Sequence, residues 1–216
     1  MTGQHADFSA VVLISGGGSN LQALIDAIAA QALNIRIAAV ISNKPNAGGL
    51  LRAKKAGIDA LALQNTDYPN REQFDAALST ILDKYAPDII LLAGFMRILT
   101  ASFVHRYAGR IINIHPSLLP KYPGLHTHQR ALDDDAREHG CTVHFVTEEL
   151  DGGPCIVQGR VPILEGDDVA QLAARVLKIE HKIYPHAVKL IASGRLVYRK
   201  GESWMDGERL LEPLQI

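Results

Sequence analysis

Runs of five or six mostly apolar residues recur through the first half of the chain, at 10–14, 36–41, 59–63, 88–93 and 110–114. Between them, over 20–31, 48–56, 71–85 and 101–107, apolar positions return at helical spacing. Short apolar runs that do not alternate with polar residues are strands covered on both faces, and their alternation with helices is the pattern of βαβ units. The pattern predicts a doubly wound, mostly parallel, Rossmann-like α/β sheet.

Beyond Pro123 the texture changes. A helix is predicted over 127–139, then two strand-like runs, 142–147 and 155–163, joined through Leu150-Asp151-Gly152-Gly153-Pro154. Strands so close in sequence pair antiparallel, so the parallel sheet gains an antiparallel C-terminal extension. A long helix over 168–192 comes next, with Leu172, Val176, Ile179, Ile183 and Val188 at roughly helical spacing, and the tail from Gly194 reads as turn-rich. No repeat and no shift in composition marks a linker, so residues 1–216 are expected to form a single domain.

Charge and cysteine usage narrow the classes of partner. Lys and Arg number 22 against 23 Asp and Glu, for a net charge of -1, which leaves no basic field to hold a nucleic acid. Cys141 and Cys155 form no C-x-x-C pair and suit a reducing compartment. Residues 1–10 lack Lys and Arg, and the run at 10–14 is too short for a signal peptide. Spanning a bilayer takes about 20 apolar residues, whereas the longest runs, such as 89–93, are strand-length. The expectation is a cytoplasmic protein without nucleic-acid or membrane partners, as a monomer or a homodimer.

Two segments carry candidate chemistry. Ser15-Gly16-Gly17-Gly18-Ser19-Asn20 runs from a buried strand into a helix, where free N–H groups and the helix dipole favour a phosphate. A tight turn without ligand would have the same composition. A dinucleotide fingerprint needs glycine where Leu21 stands, and a classical P-loop needs Gly-Lys-Ser or Gly-Lys-Thr after the loop. One phosphate group, such as that of a ribose monophosphate, is what the loop suits.

The second segment is Asn113-Ile114-His115-Pro116-Ser117-Leu118-Leu119-Pro120, at the carboxyl end of a predicted strand, where open α/β sheets bind ligands. The i, i+2 spacing puts Asn113 and His115 on one face. An amide beside an imidazolium can hold the oxygen of a tetrahedral intermediate while the imidazole moves a proton. Pro116, Pro120 and Pro123 stiffen the chain beyond His115 into a rigid wall. Asp151 lies in the Leu-Asp-Gly-Gly-Pro turn, which turn chemistry alone would explain; facing His115, its carboxylate would favour the charged ring.

Other residues have weaker readings. His126 and His128 would share a face if extended, but no third ligand is spaced to complete a metal site with them. His144 reads as a packed strand histidine or a group supporting the site. Gly94-Phe95-Met96-Arg97-Ile98-Leu99 comes directly after a buried strand, and its apolar residues suit either core or a slot for a flat heterocycle.

Taken in order, Ser15 to Gln22, Ala93 to Leu99, Asn113 to His128 and Val143 to Pro154 resemble the phosphoribosylglycinamide formyltransferase family, the folate-dependent glycinamide ribonucleotide transformylases of purine synthesis. The resemblance implies the formyltransferase fold and transfer of a formyl group from 10-formyltetrahydrofolate to the amine of glycinamide ribonucleotide, without a metal. It assigns catalysis to Asn113, His115 and Asp151, and ribonucleotide binding to Gly18, Ser19, Asn20 and Glu180. It gives folate binding to Arg71, Met96, Arg97, Ile98, Leu99, Asn113, Thr147, Glu148, Glu149, Leu150 and Asp151. It also implies a phosphate-binding half over about 1–107 and a catalytic, folate-binding half over about 108–216. Many members have Asn at Gly17 and polar Gln near Leu177 and Ile179, so a contact from that helix turn is not carried over. Two rivals remain: a 10-formyltetrahydrofolate hydrolase, whose usual extra domain 216 residues would not accommodate, and a non-catalytic nucleotide-binding module.

Overall fold

A computed structural model describes residues 8–216; the reading of residues 1–7 as part of no signal peptide lies outside the described residues. The chain forms two compact units, one ending at Ile112 and one running from Asn113 to Ile216.

The first unit contains β1 (Ser9–Ile14), α1 (Ser19–Ala29), β2 (Arg36–Ser42), α2 (Gly48–Lys55), β3 (Asp59–Ala62), α3 (Arg71–Tyr85), β4 (Ile89–Leu92) and α4 (Ala101–Arg106). Its strands lie in the order β4-β1-β2-β3, all parallel. β1 and β4 are buried at every residue, as continuous aliphatic runs inside a parallel sheet should be. β3 is the edge strand, and its exposed ends and half-buried middle residues depart from the buried strand predicted there. Asn70 caps α3 by accepting the Gln73 N–H at 2.9 Å, which satisfies one of the donors that a helix start leaves open.

At the turn from β1 into α1 the chain requires glycine. Gly18 has φ 73°, in the left-handed region, and a Cβ there would lie 2.7 Å from the Cα of Gly49 at the start of α2.

The second unit holds the carboxyl end of β5 (Ile111–His115), α5 (Thr127–Asp133), β6 (Glu138–Phe145), β7 (Cys155–Pro162), α6 (Val169–Ala192), β8 (Leu196–Arg199), β9 (Glu202–Met205), β10 (Glu208–Arg209) and β11 (Leu214–Gln215). Its strand order is β5-β6-β7-β11, with β6 and β7 antiparallel and β11 parallel to β7. The parallel strands of the first unit and the antiparallel β6–β7 pair of the second match the mostly parallel fold with an antiparallel C-terminal extension that the pattern predicts. α6 starts with a reciprocal capping box between Asp168 and Gln171 and lies on β6 and β7, burying Leu172, Val176, Ile183, Tyr184 and Val188. A Cβ on Gly159 of β7 would sit 2.1 Å from Cγ2 of Ile179, so glycine admits the helix here. Among the described residues no helix is long and apolar enough to cross a membrane.

Two sequence expectations need correction. The helix predicted over 127–139 stops at Asp133, and β6 starts at Glu138. Asp133, Asp134 and Asp135 place three carboxylates where the helix dipole is negative, and Asp135 turns left-handed at φ 47°. Residues 138 and 139 then pair with Pro162 and Val161 as strand. The turn-rich tail forms a second sheet, β10-β9-β8, antiparallel throughout. Its two tight turns, at Lys200-Gly201 and Asp206-Gly207, have φ values of 50° and 85°, and 52° and 92°, positive at both positions as type I′ hairpins require.

Gly18→Ala is expected to lower the free energy of unfolding by more than about 1 kcal/mol, because a left-handed residue with Cβ costs that much before the overlap with Gly49 is counted. Urea unfolding followed by circular dichroism measures it.

Candidate active site

In the second unit, β5 delivers Asn113 and His115, and the nine-residue connection between β6 and β7 delivers Asp151. That connection closes where Phe145 N–H donates to the Pro154 carbonyl at 3.0 Å. Gly153 is demanded there, since a Cβ would fall 1.8 Å from the Phe145 carbonyl oxygen. Asp151 itself is left-handed at φ 52°, a conformation that Asp tolerates better than most residues.

Asp151 is nearly removed from water, with 8% of its side chain exposed. Its Oδ2 accepts the Gly124 N–H at 2.8 Å and lies 3.4 Å from Nδ1 of His115. The other ring nitrogen, Nε2, is 2.9 Å from the Tyr122 carbonyl oxygen. Both nitrogens of His115 thus face oxygen acceptors, a pairing that only the doubly protonated ring satisfies in full.

His144 is arranged in the opposite sense. Its Nδ1 donates to the Phe145 carbonyl at 2.9 Å, which leaves Nε2 as the acceptor for the Asn113 amide at 3.2 Å. Burial pushes its pKa down to about 4, against the smaller opposing pulls of the Phe145 carbonyl and Asp151. A neutral His144, 3.7 Å from Oδ1 of Asp151, leaves that carboxylate's charge to His115 and orients the amide of Asn113.

The segment after His115 is a fixed wall. Thr142 Oγ1 donates to the Ser117 carbonyl at 2.7 Å and accepts the Leu119 N–H at 3.1 Å, and Gln158 Nε2 donates to the Leu119 carbonyl at 2.7 Å. These bonds are buried, so breaking one strands a polar group away from water. Behind the wall, His139 is fully buried and packs edge-on to Tyr122 and His128, with ring centroids 5.8 and 5.1 Å apart. Burial first, then the charge of His128, lowers its pKa to about 4.

Glu180 is buried on α6. After burial itself, its charge is the next cause that raises the Cys141 thiol, which places it against β6. Thr147 is half-buried, and Glu148, Glu149 and Leu150 are exposed beyond it.

The first unit carries the glycine loop. Gly16 and Gly17 are exposed, with open space where a Cβ would stand, so a side chain at Gly17 would be accommodated. Ser19 and Asn20 open α1. Ser15 ties the loop to the segment after β4: its Oγ accepts the Met96 N–H at 2.7 Å and donates to Asn43 Oδ1 at 2.5 Å, and its N–H donates to the Gly94 carbonyl. Arg97 stacks over the Phe74 ring at 4.6 Å. Met96 and Ile98 are exposed, Leu99 is half-buried, and Arg71 is exposed at the start of α3.

Of the predicted residues, Asn113, His115 and Asp151 are joined in one cluster within the second unit. Gly18, Ser19 and Asn20 share the loop of the first, where Arg71 and Met96 to Leu99 also lie. His126 and His128 stand apart, His126 exposed at the start of α5 and His128 packed on His139. Among the described residues no group of three or more His, Cys, Asp or Glu is placed to hold a metal. Ser15, Asn43, the Tyr122 carbonyl and the Gly124 N–H were not legible as site residues, because two act through the backbone and two through contacts of distant segments.

Residues 9–188 match the family model described as formyl transferase. The chain is 54% identical over 200 residues to the phosphoribosylglycinamide formyltransferase of Escherichia coli (strain K12), covering 93% of this chain and 94% of that protein. It is 47% identical over 199 residues to the one from Haemophilus influenzae, covering 92% and 94%. A solved structure of the phosphoribosylglycinamide formyltransferase from Coxiella burnetii superposes with a TM-score of 0.91 at 47% identity, covering 96% of this chain and 99% of that one.

The buried histidines predict a pH dependence. His139 and His144 titrate near 4 in the fold and near 6.5 unfolded, so between those values the unfolded chain binds more protons. Stability is therefore present above pH 6.5 and falls toward pH 4, by on the order of 1–3 kcal/mol for each ring. His139→Phe should flatten this slope in urea unfolding measured from pH 7 to pH 4.5.

Proposed function

Since the chain belongs to the formyl transferase family, we propose that it transfers the formyl group of 10-formyltetrahydrofolate to the primary amine of glycinamide ribonucleotide in purine synthesis, giving the N-formyl product and tetrahydrofolate. The observation that carries the chemistry is the pairing of His115 with Asp151 on one side and the Tyr122 carbonyl on the other, beside Asn113. Support for the substrate comes from the relatives' names and from the glycine loop, whose exposed backbone suits one phosphate.

The amine lone pair attacks the formyl carbon, and the carbonyl π pair moves to oxygen. Asn113, its amide oriented by neutral His144, donates one hydrogen bond to that oxyanion. His115 donates the other, through the Nε2–H that the Tyr122 carbonyl accepts and that the substrate oxygen would take over. Asp151, 3.4 Å from Nδ1, orients the ring so that Nε2 faces the substrate side. The oxyanion then collapses and the C–N bond to the folate breaks; His115, as general acid, gives its Nε2 proton to the departing nitrogen and takes up the proton that the attacking amine loses. Buried Glu180 is assigned to the ribonucleotide. Arg71, Met96, Arg97, Ile98, Leu99, Thr147, Glu148, Glu149 and Leu150 are assigned to the folate, whose flat ring exposed Met96 and Ile98 are suited to cover.

The two units act as one formyltransferase domain in this reading. A balanced charge suits small-molecule partners, and two cysteines outside any C-x-x-C pair suit the cytoplasm proposed for it.

Folate deformylation followed by absorbance, with and without glycinamide ribonucleotide, tests the assignment. Turnover should require the ribonucleotide, and turnover without it would identify a hydrolase instead. His115→Ala is expected to lower kcat by about 10²–10⁴ and Asn113→Ala by about 10²–10³, the ranges for a lost proton carrier and a lost oxyanion donor. Ribonucleotide binding should persist in both. Full activity in His115→Ala would leave only a binding module.

A further inference from the structure

The glycine loop does not set its own shape. Two of its carbonyls are taken up by α2: the Gly49 N–H donates to the Gly16 carbonyl at 3.1 Å, and Arg52 Nε donates to the Gly17 carbonyl at 2.8 Å. The Arg52 head is held in turn, NH1 donating to Gln22 Oε1 at 3.1 Å, while Gln22 Nε2 donates to Asp26 Oδ1 at 2.8 Å. The Arg52 stem lies along Gly18, with Cδ 3.6 Å from where a Cβ would be.

A trans peptide is planar, with its C=O and N–H pointing opposite ways. A carbonyl bound on the α2 side therefore turns the next residue's N–H away from α2. With the Gly16 and Gly17 carbonyls both bound there, the N–H groups of Gly17 and Gly18 face the other way, toward the exposed side of the loop. Orienting backbone donors before an anion arrives removes the cost of ordering them on binding.

We infer that Arg52 is a positioning residue for the ribonucleotide phosphate, acting through its Nε–H bond to the Gly17 carbonyl and not through its charge. The inference rests on the loop being the phosphate site of the proposed reaction.

The side-chain chemistry permits a sharp test. In Gln, Nε2 is bonded to Cδ as Nε is in Arg, so Arg52→Gln keeps a donor at the critical atom and removes the charge. Arg52→Lys keeps the charge and moves the donor one atom farther, and Arg52→Met keeps the length without a donor. Steady-state kinetics would be run on the wild type and the three variants, with inorganic phosphate as a competitive inhibitor and thermal melting as a control.

The expected result is a KM for ribonucleotide, and a phosphate inhibition constant, raised about tenfold in Arg52→Met and Arg52→Lys, the upper end of what one ordinary hydrogen bond contributes. Both should be near wild type in Arg52→Gln, while kcat and the KM for formylfolate hold within about twofold in all three. Three outcomes overturn the inference: an unchanged ribonucleotide KM in Arg52→Met; wild-type behaviour in Arg52→Lys with loss in Arg52→Gln, which would make charge the agent; or a lowered melting temperature with every kinetic constant impaired. Failure of the functional reading itself would show separately, as wild-type turnover that ignores the ribonucleotide.

Discussion

A carboxylate taken out of water must be compensated, and the second unit is built around that requirement at Asp151. Left alone, a buried charge would take up a proton or destabilise the fold by several kcal/mol. Here the Gly124 N–H and the His115 ring supply compensation at Oδ2. Each compensating group needs its own fixed position. Gly124 is placed by the proline-rich segment that Thr142 and Gln158 hold down from β6 and β7, and Asp151 by the close approach of Gly153 to the Phe145 carbonyl. The buried carboxylate thus ties the strand connection, the wall after β5 and the antiparallel pair into one arrangement.

Two histidines lie within 4 Å of that carboxylate, and their second partners separate their roles. His115 faces an acceptor at each nitrogen. His144 gives its only proton to the Phe145 carbonyl and, at about 4, stays neutral near pH 7. It therefore works as an acceptor that steers Asn113 rather than as a second positive charge. Had both rings been charged, the single carboxylate would have been shared between them.

In the first unit the glycine loop is fixed from α2, where the Gly49 N–H and Arg52 Nε take up its Gly16 and Gly17 carbonyls. The closeness of Gly18 to Gly49 shows why neither position admits a side chain: a Cβ on Gly49 would meet Ile14 at 2.4 Å, as one on Gly18 would meet Gly49.

The sheet, the glycine turn and the Asn-His pair on one strand were legible in the sequence because each is local. Hydrophobic periodicity reports which faces are covered, and i, i+2 spacing on a strand fixes a shared face whatever packs on it. The resemblance carried by four motifs added Asp151 as the third member of the trio. The C-terminal hairpins, turning at Lys200-Gly201 and Asp206-Gly207, were legible only as a turn-rich tail. The end of α5 was masked by the helix-forming residues Arg137 and Glu138, whose pairing with Ile163 and Pro162 overrode their propensity. Other features belonged to the tertiary structure alone: the bond between Asn113 and His144, the Tyr122 carbonyl and Gly124 N–H beside the trio, and the hold of Arg52 on Gly17. Each depends on groups 7 to 35 residues apart meeting at hydrogen-bond distance. Such meetings arise from packing, which periodicity and spacing along the chain do not encode.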